Sequence, residues 1–457
     1  MFQKSILFLS LLMVLNIPFL SNAQTSRPNI LIIMTDQQTA DAMSIARNKD
    51  LHTPAMDKLA QNGVRFTKAY CAQPLCTPSR ASIMSGKMPY ENGFIGNAPE
   101  KDGQWPENLL MMGKIFQNGG YKTGYVGKWH LPVPTTKKSQ HGFEYIENTN
   151  FQDYNDAATP SFCARFIKEN KNTPFLLVAS FLNPHDICEW ARGEDLKMDV
   201  LENAPPADQC PPLPANWKIP DQEPKIVRDQ QKVSFRTYPT VHWTSDQWRQ
   251  YRWAYNRLVE KVDRYIEMVL ASLKKYNIEK NTIIIFTADH GDGYAGHSWN
   301  QKQILYEESA KIPFIISKIG EWKPQTDDML VCNGTDIIPT MCGFTGVPKP
   351  SYLKGIDISK KIENPNQSLR DTLVIETDFA DNEELLNISG RAVITKDYKY
   401  IVYNKGDLKE QLFDLTKDPG EITNLAVNPS CKKELIAMRR YLKQWCKKNG
   451  DSFVSGI

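Results

Sequence analysis

The segment RPNILIIMTD, residues 27–36, is a short, continuous apolar run that ends in an acid, and it indicates the fold of this chain. Such a run is typical of a strand that is buried on both faces of a parallel sheet. Three later segments have the same form: KTGYVGKWH (122–130), PFLLVASFLNPHD (174–186) and NTIIIFTADHGD (281–292). Because polar residues follow each apolar run, we expect polar clusters at the carboxyl ends of these four strands.

Helical patterns separate the apolar runs. The segment TPAMDKLAQNG (53–63) has Thr53 as its expected N-cap, Pro54 in the first turn and Gly63 as a stop signal. Residues 245–275 also carry apolar residues at helical spacing. Strands that alternate with helices predict an α/β fold with a large, mostly parallel central sheet flanked by helices. Ligands of such sheets bind at the carboxyl ends of the strands.

The first 23 residues have the form of a secretory signal peptide. Lys4 is their only charged residue, residues 6–15 are apolar, and residues 21–23 are small or polar, as at a cleavage site. The apolar run is too short to span a bilayer. We therefore expect an exported protein, periplasmic or secreted, without a membrane anchor.

Changes of pattern along the chain predict its domain organisation. We expect one large α/β domain over residues 24–365, with a surface insertion rich in Pro, Trp and charged residues at 189–244. Residues 366–457 are expected to form a smaller C-terminal α+β subdomain. Its segments RAVITKDYKYIVYN and EQLFDL indicate an antiparallel sheet, and residues 430–447 indicate a closing amphipathic helix.

Charge and cysteine content narrow the classes of partner. The chain has 55 basic and 52 acidic residues, a net charge of +3, so nothing in its charge favours nucleic acid or an anionic membrane as a partner. Nine cysteines are an odd number for an exported protein, which raises the question of which one is unpaired. Cys76 is the candidate, and the pairing of the other eight is left open.

The sequence around Cys76 suits an anion-binding helix start. In PLCTPSRASIMSGK (74–87), Pro78 fits the first turn of a helix that begins near Thr77, and Arg80 lies one turn after Cys76. A helix N-terminus with an arginine beside it binds anions. The alternative is a buried or disulfide-bonded cysteine beside a surface arginine, and the segment alone does not separate the two.

Four residues at two strand ends are candidate metal ligands. Asp36 and Gln37 follow the first strand, and Asp289 and His290 follow a later one. Carboxylate and amide oxygens favour Ca²⁺ or Mg²⁺, and an imidazole also admits Mn²⁺. The alternative is that each acid caps a helix.

Cationic and imidazole side chains follow the other strands. Lys128 and His130 are spaced so that both can point the same way where a strand ends. His185 follows another strand with Asp186 beside it, and Lys302 comes soon after the Asp289 cluster. Taken alone, each of these residues is typical of an ordinary loop. Their grouping at one edge of the sheet indicates a site for an anionic substrate.

These motifs together resemble one family. LCTPSRASIMSG matches the sulfatase signature C-x-P-S-R, and PNILIIMTDQ, GKWH, PH, DHGD and K…YEES occur in that family's order over nearly the whole chain. The chain is therefore identified as resembling the formylglycine-dependent (type I) sulfatases of the alkaline phosphatase superfamily. The resemblance implies that a separate maturation enzyme oxidises Cys76 to formylglycine (3-oxoalanine).

The resemblance also implies a role for each polar residue of the site. One hydroxyl of the hydrated aldehyde, ionised by the metal and Arg80, attacks sulfur, while Lys128 orients the sulfate. His185, with Lys302 nearby, protonates the leaving oxygen. His130 then takes a proton from the second hydroxyl and so releases sulfate.

The implied metal site departs from the commonest family pattern. Many members have Asp where Gln37 stands and Asn where His290 stands. Related phosphonate and phosphodiester hydrolases, which favour Mn²⁺, have Asp-Gln and Asp-His pairs similar to those of this chain. Ca²⁺ is the expected ion, with Mn²⁺ or Mg²⁺ as alternatives. The expected ligands are Asp36, Gln37, residue 76, Asp289 and His290.

The expected substrate is a sulfated carbohydrate, such as a glycosaminoglycan. Trp190 and Arg192 offer stacking and anion pairing near the insertion, although core packing explains a tryptophan equally well. A phosphonate monoester or phosphodiester hydrolase is the alternative enzyme. A catalytically silent sugar-binding relative is the alternative from another class, and the retained catalytic residues argue against it.

Overall fold

The structure is a computed structural model, and it describes residues 27–98, 103–149, 155–196, 201–233, 238–381 and 384–453. The predicted signal peptide lies outside the described residues. Two short parts of the predicted insertion, 197–200 and 234–237, also lie outside them.

The described residues contain twelve strands. They are β1 (Asn29–Asp36), β2 (Gly63–Tyr70), β3 (Lys122–Gly127), β4 (Tyr145–Glu147), β5 (Phe175–Pro184), β6 (Thr282–Ala288), β7 (Phe314–Ser317), β8 (Gln325–Cys332), β9 (Thr372–Asp381), β10 (Glu384–Thr395), β11 (Tyr398–Tyr403) and β12 (Glu410–Asp414).

The same residues contain thirteen α-helices. They are α1 (Pro54–Gln61), α2 (Cys76–Ser85), α3 (Pro89–Asn92), α4 (Met112–Asn118), α5 (Lys138–His141), α6 (Thr159–Asn170), α7 (Ile187–Arg192), α8 (Lys225–Val233), α9 (Ser245–Lys275), α10 (Glu307–Ala310), α11 (Asn333–Thr345), α12 (Ser359–Glu363) and α13 (Lys432–Asn449).

The predicted large sheet is present and mostly parallel. Its eight strands lie in the order β4-β3-β5-β1-β6-β7-β2-β8, and β1 pairs in parallel with both β5 and β6. Along β1, Ile30 and Ile32 pack into one hydrophobic core, and Leu31 and Ile33 pack into a second one. This alternation confirms that the apolar run is buried on both faces of the sheet.

The strands β2, β4, β7 and β8 of this sheet were not predicted. β2 begins at Gly63, the predicted stop signal of α1, and the helix ends two residues before it, at Gln61. β7 is antiparallel to both of its neighbours, β6 and β2. A Cβ atom on Gly63 would lie 2.2 Å from the carbonyl oxygen of Ile316, so this close approach of β2 to β7 requires glycine.

The predicted antiparallel sheet is also present. β9 to β12 form a four-stranded sheet in the order β12-β11-β10-β9, and every pair is antiparallel. One face of this sheet packs against α13 through Leu435, Met438 and Leu442. The closing helix runs from Lys432 to Asn449, so both of its ends lie slightly later in the chain than the predicted ones.

The long predicted helix forms as expected, since α9 runs from Ser245 to Lys275 and packs its apolar face on the large sheet. No helix in the described part of the chain combines the length and apolar character that a membrane crossing requires.

Candidate active site

The predicted polar clusters meet at the carboxyl edge of the large sheet. β1 ends at Asp36, Lys128 and His185 directly follow β3 and β5, and Asp289 directly follows β6. Helix α2 begins at Cys76, whose Sγ lies 3.9 Å from Oδ1 of Asp36. Strand ends and helix N-terminus therefore share one site.

The turn that carries Lys128 into the site depends on a glycine. Gly127 has a φ of +104°, and a Cβ atom there would lie 1.8 Å from the carbonyl oxygen of Ser180. That carbonyl instead accepts a hydrogen bond from the backbone N–H of Lys128 at 2.9 Å. Only glycine allows both the backbone angle and this approach.

Arg80 holds two carboxylates together at the floor of the site. Its Nη2 donates to Oδ2 of Asp36 at 2.7 Å, and its Nε donates to Oδ2 of Asp289 at 2.9 Å. Its Nη1 donates to the carbonyl of Lys128 and to Oγ of Ser180, each at 3.0 Å. The predicted anion-binding arginine is therefore buried and largely committed to the carboxylates.

Four potential ligand atoms converge beside this arginine. One ligand atom each from Asp36, Cys76, Asp289 and His290 lies within 4.8 Å of the others, and all four residues are buried. One ring nitrogen of His290, Nδ1, lies 2.8 Å from the carbonyl of Gly291, which can only accept a hydrogen bond. Nδ1 must therefore carry a proton, so a neutral imidazole presents its Nε2 lone pair toward Cys76, 3.2 Å away.

The electrostatics of the two carboxylates fit a divalent cation. Burial acts to raise the pKa of Asp36, but Lys128 and Arg80 outweigh burial and hold that pKa well below its ordinary value. Burial and the neighbouring Asp36 raise the pKa of Asp289 to about 6. The carboxylates thus still repel each other despite the adjacent cations, and a divalent ion between them would relieve that repulsion.

Gln37 and Lys302 occupy the other side of Cys76. Nζ of Lys302 lies 3.0 Å from Oε1 of Gln37 and 3.0 Å from Sγ of Cys76. Burial acts to lower the pKa of Lys302, but negative charge on Cys76 and Asp36 outweighs it, so the pKa is raised and the ammonium stays charged. Among the carboxylates described above, Nζ of Lys128 lies 2.6 Å from Oδ2 of Asp36.

The two predicted catalytic histidines both contact Cys76. Burial lowers the pKa of His130, whose Nδ1 has no hydrogen-bond partner in the described part of the chain. Burial, Lys128 and Lys302 together lower the pKa of His185 to about 4. Both imidazoles are therefore neutral at pH 7 in the ligand-free site.

The two predicted substrate-binding residues have other partners. Trp190 packs edge-on against Trp243 with 6.2 Å between ring centroids, as the packing alternative expects. Arg192 forms ion pairs with Glu189 at 3.0 Å and Glu194 at 2.9 Å. A substrate role for either residue stays a prediction, and binding an anion at Arg192 requires competition with two carboxylates.

No disulfide bond forms among the nine cysteines, all of which lie within the described residues. The odd number of cysteines therefore does not distinguish Cys76 from the other eight. Its surroundings distinguish it instead. Burial and Asp36 act to raise the pKa of the Cys76 thiol, but Lys302 and Lys128 outweigh them and the pKa is well below its ordinary value. At Cys188, by contrast, burial raises the thiol pKa to about 12.

Two residues of the site were missed from the sequence. Asp292 lies 2.8 Å from Nε2 of Gln37, and Cys188 lies 3.3 Å from the same atom. Asp292 is the second acid of the DHGD motif, so the motif itself carried a signal. Cys188 follows His185 by one helical turn and had no comparable signal.

Comparison with known proteins agrees with this geometry. The sulfatase family model matches residues 28–347, and the model described as "N-sulphoglucosamine sulphohydrolase, C-terminal" matches residues 295–448. The chain belongs to the sulfatase family. It is an α/β enzyme of the alkaline phosphatase superfamily and a sulfuric ester hydrolase.

Individual relatives extend the comparison over most of the chain. A Δ4,5-hexuronate-2-O-sulfatase from Bacteroides thetaiotaomicron is 30% identical, over 94% of this sulfatase and 91% of the relative. The solved structure of a 2-O GAG sulfatase is 29% identical and superposes with a TM-score of 0.82, covering 93% of both chains. The phosphonate monoester hydrolase of Agrobacterium radiobacter shares the fold, with a TM-score of 0.75 over 92% of this chain and 96% of that chain at 19% identity.

Proposed function

We propose that this sulfatase hydrolyses sulfate esters of a carbohydrate, through formylglycine at residue 76 and a divalent cation. The observation that carries the proposal is the position of Cys76. Its Sγ lies 3.0 Å from Nζ of Lys302 and 3.2 Å from Nε2 of His290, at the N-terminus of α2. The Sγ atom marks where the oxygens of a formylglycine hydrate would lie.

The conversion of Cys76 is proposed from its sequence context. The segment CTPSR matches the signal that a formylglycine-generating maturation enzyme reads in this family. Formylglycine supplies a hydrated aldehyde, in which one hydroxyl attacks sulfur and the other later allows the sulfate to leave. A serine at the same position would lack that second hydroxyl.

The proposed metal ligands are Asp36, Gln37, residue 76, Asp289 and His290. Oxygen donors from two carboxylates and an amide favour Ca²⁺, with Mg²⁺ as an alternative, and the imidazole of His290 also admits Mn²⁺. A divalent ion held by these residues would supply positive charge that stabilises negatively charged oxygens in the site. Arg80 contributes by fixing both carboxylates at 2.7 and 2.9 Å, so that they need no reorganisation.

Lys128 and Lys302 flank residue 76 and stabilise the negative charge of the sulfuryl oxygens. His185 is the proposed general acid for the leaving oxygen, with Lys302 beside it. In the ligand-free site, burial and the two lysine neighbours together lower the pKa of His185 to about 4. A bound sulfate ester adds negative charge to the site, which favours the protonated imidazole.

His130 is the proposed base that restores the aldehyde. Its pKa is lowered by burial, so the neutral form that accepts a proton is present at pH 7. Its Nδ1 has no hydrogen-bond partner in the described part of the chain, which leaves that nitrogen available to a hydroxyl on residue 76.

The carbohydrate substrate is proposed from the relatives. A hexuronate 2-O-sulfatase and a 2-O GAG sulfatase match over nine-tenths of the chain at 29–30% identity. A 2-O-sulfated unsaturated uronate at the end of a glycosaminoglycan fragment is therefore the first substrate to test. Export through residues 1–23, to the periplasm or beyond, would bring the enzyme to such a glycan.

A phosphonate monoester or phosphodiester hydrolase is the second candidate. The Asp36–Gln37 and Asp289–His290 pairs in the candidate ligand set favour it, since related hydrolases of those esters have similar pairs. The two candidates differ in their substrates and not in their fold.

The test measures the turnover of a panel of defined esters by the exported enzyme, as free sulfate from the sulfate esters and as released phenol or alcohol from the phosphate and phosphonate esters. The panel contains the unsaturated hexuronate 2-sulfate disaccharide, N-acetylglucosamine 6-sulfate, an aryl sulfate, an aryl phosphate diester and a phosphonate monoester. We expect the sulfated sugars to react with the highest kcat/KM. Faster turnover of the diester or phosphonate would favour the second candidate.

Cys76→Ala is the matched variant for this experiment. We expect it to bind Ca²⁺ and to fold, and to release no sulfate from any ester. Peptide mass mapping of the active wild-type enzyme should find formylglycine at residue 76. Normal turnover by Cys76→Ala, or an unaltered cysteine in fully active enzyme, would refute the mechanism.

A further inference from the structure

The amide of Gln37 is held in one orientation by a carboxylate outside the expected ligand set. Nε2 of Gln37 donates to Oδ2 of Asp292 at 2.8 Å and contacts Sγ of Cys188 at 3.3 Å. An ionised carboxylate can only accept hydrogen bonds, so the NH₂ group must face Asp292. Oε1 is then turned toward the site, where Nζ of Lys302 contacts it at 3.0 Å.

Asp292 is itself fixed by donors from three other groups. The hydroxyl of Tyr251 donates to both carboxylate oxygens, at 2.8 and 2.9 Å. The backbone N–H of Tyr294 donates to Oδ1 at 2.7 Å, and that of Gln301 donates to Oδ2 at 2.9 Å. Asp292 is fully buried. Its carboxylate is thus a rigid acceptor that receives hydrogen bonds from α9 and from the loop after β6.

The backbone of Gln37 is anchored as firmly as its side chain. Its N–H donates to Oδ1 of Asp289 at 3.0 Å, and its carbonyl accepts from the hydroxyl of Tyr255 at 2.6 Å. With a φ of +66°, Gln37 turns sharply out of β1. With the backbone held in this way, the hydrogen bond to Asp292 sets which atom of the amide faces the site.

We propose that Asp292 is a positioning residue, which makes Gln37 an oxygen donor to the divalent cation and explains why residue 37 is not an acid. This inference rests on the metal site of the proposed function. A carboxylate at residue 37 would lie against Asp292 at hydrogen-bond distance, and two such carboxylates repel each other. In this arrangement the negative charge is carried by Asp292, which lies behind Gln37 and does not contact the ion itself.

The pairing also links the metal site to Lys302. Because Oε1 of Gln37 contacts Nζ of Lys302, an amide turned by half a rotation would present NH₂ to that ammonium. The reversed amide therefore loses one hydrogen bond at Asp292 and faces a cation at Lys302. Asp292 and Lys302 select the same orientation from opposite sides.

The test is a double-variant cycle on Ca²⁺ affinity, measured by calorimetry on metal-stripped full-length enzyme. We expect Asp292→Asn and Gln37→Glu each to weaken Ca²⁺ binding by about 10–100-fold, the usual loss when a residue that orients a ligand is removed. In the double variant, the amide introduced at position 292 can donate to the carboxylate introduced at position 37. The two losses should then not multiply, and the double variant should bind no more weakly than Asp292→Asn alone.

Asp263→Asn is the matched control. Asp263 is a buried carboxylate on α9 that accepts from the N–H groups of Ala55 and Met56, at 3.0 and 2.9 Å, at the start of α1. We expect this control to keep the wild-type Ca²⁺ affinity. A loss equal to that of Asp292→Asn would mean that any buried carboxylate on this face has the same effect, and would overturn the proposal.

A second readout separates positioning from general damage. Saturating Ca²⁺ should restore most of the kcat of Asp292→Asn, since the variant lacks affinity and not chemistry. Unchanged Ca²⁺ affinity in Asp292→Asn, multiplied losses in the double variant, or a kcat that Ca²⁺ does not restore would each refute the proposal. If the wild-type enzyme binds no divalent cation, the metal site of the proposed function fails and this role fails with it. Strong Ca²⁺ binding that is insensitive to Asp292 refutes the positioning role alone.

Discussion

Nζ of Lys302 lies 3.0 Å from Sγ of Cys76. The partners of this ammonium are the sulfur of Cys76 and the neutral amide oxygen of Gln37, whereas Arg80 and Lys128 both pair with the carboxylate of Asp36. Lys302 is therefore less committed to the carboxylates that would hold the metal than Arg80 and Lys128 are, which supports its proposed place beside the leaving oxygen.

Leaving-group chemistry tests the acid side of the site. We expect His185→Ala and Lys302→Ala to lose about 10²–10⁴-fold in kcat on sugar sulfates, whose alkoxide leaves only with a proton. The loss on aryl sulfates should be much smaller, because a phenolate is already a good leaving group. Lys225→Ala, a lysine with 87% of its side chain exposed, is the control and should keep full activity on both. Equal losses on the two substrate classes would contradict the assignment.

The reuse of residue 76 can be tested with Cys76→Ser. A serine can attack sulfur, but its sulfate ester lacks the second hydroxyl from which His130 takes a proton. We expect at most one sulfate transferred per enzyme molecule, followed by arrest. Intact-protein mass spectrometry after incubation with substrate should find one added sulfuryl group, located at residue 76. Sustained turnover by this variant would show that the second hydroxyl is unnecessary.

The stability of the enzyme should depend on pH through Glu376 on β9. Burial raises the pKa of this carboxyl from 4.5 to about 8, although Arg391 opposes the shift. The folded state therefore binds the proton more tightly than the unfolded state. The stabilisation that this bound proton gives to the folded state is complete below pH 4.5 and is lost as the pH rises through about 8.

We expect the melting temperature of the wild-type enzyme to fall between pH 6 and pH 9. Glu376→Gln should flatten that fall, because the amide does not ionise. Its Oε1 can still accept the hydrogen bond from the N–H of Tyr90, which Glu376 accepts at 2.8 Å. Scanning calorimetry of both proteins across this pH range is the measurement. A parallel fall in the two proteins would assign the pH dependence to other groups.

A buried ion cluster joins the antiparallel sheet to the segment after Lys302. Nζ of Lys399, on β11, lies 3.0 Å from Glu307 and 3.0 Å from Glu421, and its side chain is fully buried. Lys399→Met leaves two buried carboxylates without this cation. We expect it to reduce the free energy of unfolding by about 3–5 kcal/mol.

Lys417→Met is the control for that substitution. Lys417 pairs with Asp414 at 3.2 Å, but 82% of its side chain is exposed, so we expect a much smaller loss of stability than at Lys399. Urea unfolding followed by fluorescence measures both. A loss at Lys399 no larger than that at Lys417 would mean that the cluster adds nothing to stability.

The fold was predicted where the sequence pattern was simple. β1, β5 and β6 are continuous apolar runs, and their burial on two faces leaves no polar alternation that could confuse them with amphipathic elements. β2 mixes buried and half-buried residues without a clear period and begins two residues after a helix ends, and β7 has only four residues. Such strands are identified only by their partners in the sheet.

The sequence by itself determined which residues meet. The ends of parallel strands lie at one edge of a sheet, so Asp36, Lys128, His185 and Asp289 had to be neighbours once the strands were recognised. The signature around Cys76 added the nucleophile and the family. Neither inference required the distances between atoms that only a structure provides.

Only the tertiary structure decided what each of these groups is doing. Arg80 was expected only to contribute to an anion-binding helix start, and the structure shows that two carboxylates hold its guanidinium. Gln37 is oriented by Asp292, which no strand-end argument placed beside it. The physical reason is that the choice of hydrogen-bond partner depends on small differences in the distances between side chains. Those distances are set by packing between segments far apart in the chain, which local sequence does not encode.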